Sequence, residues 1–160
     1  EPGGNPKELI PNVEPWNIVL RGEEVWVGTL AHGLWYSETG ESFIQLATGS
    51  IATVSKVGDD IWIATPFGEV YNLTTQRQVL KIEAGFPTHI AEIGERVLLT
   101  VSSPTLKEPP FQIFADGQLS PITDMQVDED SGFVTSTGAW SLSDGSALVG
   151  SFRRGPLRWK

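Results

Sequence analysis

The chain has 160 residues, 39% of them hydrophobic, with 17 Gly and 11 Pro, which suits one loop-rich domain with its own core and excludes a disordered chain. Asp and Glu number 20 against 11 Lys and Arg, a formal charge of −9; that field repels phosphate backbones and anionic surfaces, so no nucleic-acid partner is expected. There is no cysteine, which removes disulfides and thiolate metal sites, and no apolar run reaches the eighteen or so residues that span a bilayer, so no membrane insertion is expected.

The chain opens on "EPGGNPKE", which reads as a mature N-terminus left by processing or as a boundary set by cloning. Processing favours an extracellular or periplasmic location, with the cytoplasm as the alternative. A short apolar run, "KELIP" (Lys7–Pro11), follows. Four β-rich runs come next: "WNIVLRG", "EVWVGT", "GLWYSE" and "SFIQLA". Turn residues separate them, at Gly22-Glu23-Glu24, Ala31-His32-Gly33 and Thr39-Gly40-Glu41, as hairpin connections require. No window holds a helical period.

The same pattern then returns. "GEEVWVGT" (Gly22–Thr29), "GDDIWIAT" (Gly58–Thr65) and "GERVLLTV" (Gly94–Val101) stand 36 residues apart both times. Ile10, Leu46 and Ile82 keep the same register upstream, and "GSALVGS" (Gly145–Ser151) is a fourth copy after a longer connection. A period in this range announces a solenoid, propeller or array; four antiparallel strands per unit select the β-propeller. The expected fold is therefore all-β, one domain over 1–160, with four four-stranded antiparallel blades in units of about 7–43, 44–78, 79–117 and 118–160. The chain ends on a third-strand run, so "KELIP" is expected to complete the last blade and close the ring. Two chains forming one eight-sheet ring, a homodimer, are the alternative.

Trp26 and Trp62 hold one position in successive units, and Trp35, Tyr36, Tyr71 and Phe114 fall on third strands. Aromatics repeating in register fill the wedge between twisted sheets, each burying roughly 150–250 Å².

"WVGTLAHGLWYSETGESF" resembles the repeat of Asp-box propellers, the group that includes sialidases, sortilin-type receptors, xyloglucan-cleaving glycosidases and the photosystem II assembly factor. The residues that carry the resemblance are Trp26, Gly28, Thr29, Gly33, Ser37, Gly40, Ser42 and Phe43, with a turn one residue shorter than the family's. The aspartate that names the motif is absent, Glu38 being the nearest acid, and later copies such as "IWIATPFGEVY" keep only its first half. The resemblance implies the propeller fold, with the motif as a turn-stabilising device away from any catalytic face.

Chemistry is sparser. Two histidines, His32 and His89, make a poor metal site without a third ligand. Asp124, Asp128, Glu129 and Asp130 lack the alternating spacing of a calcium loop and read as solvated charge. There is no nucleophile elbow and no phosphate-cradling glycine loop, and the tyrosines occupy repeating strand positions, so no sialidase-like site, no catalytic residue and no cofactor are expected. "NLT" at Asn72 is a glycosylation sequon. The loops expected to share one face of the ring carry His32, Phe67, His89, the insertions Ser102–Pro110 and Asp124–Gly132, and Arg153-Arg154. Four of the eleven basic residues, Arg153, Arg154, Arg158 and Lys160, fall in the last eight positions.

Irregular loops on a regular frame are where recognition is usually placed. The sequence therefore points to a non-catalytic scaffold, an accessory subunit docking a protein partner. Phe111 would anchor the insertion, Arg153 and Arg154 would pair acidic groups, and His32, Phe67 and His89 would complete the surface. A glycan-binding or glycan-cleaving module, or a piece of a larger propeller, are the alternatives.

Overall fold

The structure, a computed structural model, describes residues 9–10, 12–102, 111–122, 136–151 and 155–159. Among them the protein is all-β: fifteen strands form four antiparallel sheets that follow one another along the chain. The first sheet holds β1 (Asn17–Arg21), β2 (Glu24–Gly28), β3 (Leu34–Ser37) and β4 (Ile44–Ala47) in that order. The second holds β5 (Thr53–Val57), β6 (Asp60–Ala64), β7 (Glu69–Asn72) and β8 (Arg77–Lys81). The third holds β9 (Phe86–Ile93), β10 (Arg96–Ser102), β11 (Phe111–Ala115) and β12 (Gln118–Pro121). The fourth has three strands among the described residues, β13 (Ser136–Ser141), β14 (Ala147–Ser151) and β15 (Gly155–Trp159).

Each sheet is an up-and-down meander, as its alternating apolar pattern dictates. In the first three sheets the opening hairpin turns on two residues, fixed by the pairs Arg21↔Glu24, Val57↔Asp60 and Ile93↔Arg96. Successive sheets pack face to face, β1 on β5, β5 on β9 and β9 on β13. Three apolar clusters fill the gaps. Trp26 and Leu34 of the first sheet meet Val54, Ile61 and Ile63 of the second. Trp62 and Val70 of the second meet Ile90, Val97 and Leu99 of the third. Leu98 and Phe111 of the third meet Ala147 and Val149 of the fourth. Every sheet thus has a near face, toward the preceding sheet, and a far face, toward the next.

Polar bonds align the sheets end to end. At the start of the first strands, Asn17 Nδ2 donates to Thr53 Oγ1 at 2.8 Å. At the hairpin end, Arg21 Nη1 donates to the Asp59 carbonyl at 2.9 Å, and the Gly58 amide donates to Glu92 Oε2 at 2.8 Å.

Trp26 and Trp62 are buried between sheets, as their periodicity requires. The expected common placement of Tyr36 and Tyr71 is corrected. Trp26 pairs with Tyr36, whereas Ile63, on the opposite parity, pairs with Tyr71. The turn before Tyr71 is one residue shorter, and in a strand a one-residue slip exchanges faces. The two tyrosines consequently pack on the same cluster from opposite sheets.

Of the segment expected to complete the last sheet, Leu9 and Ile10 are among the described residues. Leu9 and Ile10 form a bend and, with Val13, Pro15, Ile18, Val25, Val27 and Phe43, line an apolar cavity of about 380 Å³ on the first sheet. Lys7, Glu8 and Pro11 lie outside the described residues.

Candidate functional site

In every sheet the connection between second and third strands leaves from the end where the first strand begins, because Asn17 pairs with Gly28 and Gly28 with Leu34. The same holds for Thr53, Ala64 and Val70. The Asn17–Thr53 bond aligns these ends in the first two sheets, and the bonds of Arg21 and Gly58 align the opposite ends. One end of the stack therefore gathers the connections after β2 and β6, and in the third and fourth sheets the corresponding segments are 103–110 and 152–154.

The two described turns are built alike around a threonine and a glycine. Thr29 Oγ1 donates to the Gly33 carbonyl at 2.9 Å and accepts the His32 amide at 2.8 Å. Thirty-six residues later, Thr65 Oγ1 bonds Glu69 Oε2 and accepts the Phe67 amide, both at 3.3 Å. Gly33 and Gly68 have φ of 75° and 83°, and a Cβ on either would collide with a backbone carbonyl, of Ala47 or Ile82. Only glycine fits a positive φ with that close an approach.

These rigid turns present His32 and Phe67. The His32 carbonyl accepts the Trp35 indole N–H at 2.9 Å and the Gln45 amide at 2.8 Å, which pins the turn while its side chain stays exposed. Phe67 is 77% exposed, and Leu30, on the equivalent turn, is also exposed. Leu30 and Gln45 were not singled out from sequence, and Trp35 only as a third-strand aromatic; the threonines 36 residues apart were the available signal.

His89 and Phe111 lie elsewhere. His89 pairs with Thr100 and Thr100 with Phe111, so the three share one row on the far face of the third sheet. Phe111 is 1% exposed, wedged among Ile93, Leu98, Ala147 and Val149; it is a core residue, and the expectation that it meets a partner is corrected. A bulge next to Thr100 brings Thr88 Oγ1 within 2.9 Å of Thr100 Oγ1, with His89 Nδ1 3.5 Å from the latter. Burial pushes the His89 imidazole below its ordinary value, since desolvation disfavours the cation. His89 is a half-buried strand residue, which corrects its expected place on a loop.

Arg153, Arg154 and the insertions lie outside the described residues, as do Asp124, Asp128, Glu129 and Asp130. Arg158, counted in the same basic run, is paired: its guanidinium bonds Asp144 and donates to Ser146 Oγ at 3.0 Å. The Asp144 carboxyl is held below its usual range, first by the Ser146 hydroxyl and also by Arg158. Among the described residues no group of three His, Cys, Asp or Glu could hold a metal ion, and no helix is long and apolar enough to cross a membrane. The Asn72 sequon is sealed: Nδ2 donates to Asp60 Oδ2 at 2.8 Å and Oδ1 accepts the Thr75 amide at 3.1 Å, in a buried side chain.

No protein-family model matches the chain, and no curated protein matches it. Solved structures do. The extracellular domain of BT4673 of B. thetaiotaomicron, named as a hybrid two component system, superposes with a TM-score of 0.63 at 14% identity, over 94% of this chain and 21% of that one. The computationally designed protein Ika4 superposes at 0.60 with 12% identity, over 97% of this chain and 98% of its own. The designed Ika8 gives 0.55 at 10% identity, over 89% of this chain and 44% of that chain. The chain spans about a fifth of the length of the extracellular domain it matches. At these identities the similarity is one of fold.

Proposed function

We propose that the four sheets are blades of a β-propeller of the Asp-box-like kind and that the protein is a non-catalytic recognition scaffold, an extracellular accessory subunit that docks a protein partner. Phe67 carries this reading. A phenylalanine exposed at the tip of a turn held by Thr65 and Gly68 is pre-organised, so binding it costs little ordering entropy, and aromatic anchors of this kind dominate protein interfaces. His32 and Leu30 extend the surface on the neighbouring turn, and the connection holding Arg153 and Arg154 is the corresponding one of the last sheet. The fold shared with an extracellular domain supports the location, and the Ser37 hydroxyl that accepts the Gly40 amide at 2.9 Å, a turn-stabilising contact, supports the Asp-box-like reading.

The test is purification of the protein from its source with Phe67→Ala or His32→Ala in place. The reading expects the co-purifying protein to be lost at unchanged melting temperature. Retention of that partner by both variants, or binding of Phe67-dependent glycans on a panel with no protein partner, contradicts it.

A further inference from the structure

The 36-residue repeat identifies what is missing at the two ends of the stack. Val54 and Ile90, at equivalent positions of β5 and β9, are 2% and 5% exposed because the preceding sheet covers them. Ile18, one repeat earlier on β1, is 57% exposed. Val25 and Val27 occupy the positions that Ile61 and Ile63 fill in the second sheet and Val97 and Leu99 in the third. The near face of the first sheet is therefore patterned as a sheet–sheet interface; Val27 on it is buried and Val25 half-buried, beside Leu9 and Ile10, while Ile18 stands open.

The far face of the fourth sheet is the complementary half. Ala147 and Val149 point toward the third sheet, so Leu148, between them, is on the far side, at the position of Trp26. Trp140, its cross-strand partner, is 53% exposed. No pairing comparable to β1–β5 joins β13–β15 to the first sheet among the described residues. The chain matches nearly the whole of one designed chain and under half of another.

We propose that the two end faces join between copies of this chain: the far face of the fourth sheet, with Trp140 and Leu148, packs on Ile18 and Val25 of a second copy. Repeated twice, this contact completes an eight-sheet ring of two chains. The occupant is self because the repeat makes each end face the continuation of an interface the chain already forms three times. Leu9 and Ile10 support it. They precede β1 by the spacing that separates Gln45 and Leu46 of β4 from β5, so they take the place of the fourth strand of the incoming sheet, and the fourth sheet has three strands among the described residues. Closing the ring would remove both end faces from water, and burial of apolar surface favours it.

The absence of cysteine makes the test clean. Sedimentation of the intact chain should give twice the chain mass, and Ile18→Glu or Trp140→Glu alone should give the monomer. Mixing the two variants should restore dimers, since each supplies one intact half. A chain carrying both Ile18→Cys and Trp140→Cys should oxidise to a covalent dimer, which decides the matter even if a glutamate variant fails to fold. A monomeric parent, dimers that survive both substitutions, or a disulfide that forms within one chain would overturn the proposal. The oligomeric state is read independently of Phe67, so it can fail while the recognition surface stands.

Discussion

Asn17 donates its side-chain amide to Thr53, the residue one full repeat further on, and Asn17 Oδ1 accepts the Val54 amide at 3.2 Å. Two residues at the same position of successive sheets are thus bonded directly, which sets the sheets in register at the end that carries the turns. Asn17→Ala should lower stability by about 1–3 kcal/mol, because it leaves a part-buried donor and acceptor without partners. Urea unfolding measures it. A change below a few tenths would mean that water replaces both bonds.

Trp62 packs edge-on against Phe114 of the next sheet, with ring centroids 6.0 Å apart, and its indole N–H is buried with no hydrogen-bond partner. Trp62→Ala should cost about 3–5 kcal/mol, as large-to-small core changes do. Trp62→Phe should cost clearly less, since it keeps a ring while removing the unpaired donor. Equal losses in the two variants would show that indole size alone holds the interface.

The repeat made the sheets readable in the sequence, and the reason is physical. Gly22, Gly58 and Gly94 open two-residue turns, and the strands after them carry their apolar residues in one register, so strand, turn and face follow from the spacing. The tyrosine faces were not readable the same way. Deleting one residue in the turn before Tyr71 inverts its strand, and no composition signal marks that. The surface was legible only in part. His32 and Phe67 sit on turns as the spacing implied, whereas Phe111 and His89, next to an insertion, belong to the strand row against the fourth sheet.

Gly58 and Gly68 separate two reasons for glycine. Both have positive φ, but a Cβ at Gly58 meets open space and one at Gly68 meets the Ile82 carbonyl. Gly58→Ala should cost about 1–2 kcal/mol for the left-handed backbone alone, and Gly68→Ala measurably more. Similar melting temperatures for the two variants would show that the turn after β6 can move aside.

His89 gives a pH signature. Its imidazole titrates below the ordinary 6.5 because burial disfavours the cation. As pH falls below that value the unfolded chain takes up the proton first, so stability present above about 6.5 declines toward the lower folded pKa. Glu24 is also held below its usual 4.5, first by Arg21, but its contribution is lost only at lower pH. Denaturant midpoints between pH 7 and about pH 5 should fall for the parent and stay flatter for His89→Gln. Parallel curves would contradict the burial of His89.

The central claim is that recognition occurs at the end of the stack where the turns emerge, away from the hairpins. A photoreactive phenylalanine analogue placed at Phe67, and separately at Glu95 on the opposite hairpin, tests this most directly when the protein is irradiated in its source. A specific protein adduct from position 67 with none from position 95 is the expected result. An adduct from position 95 alone, or none from either while the partner still co-purifies, would contradict it.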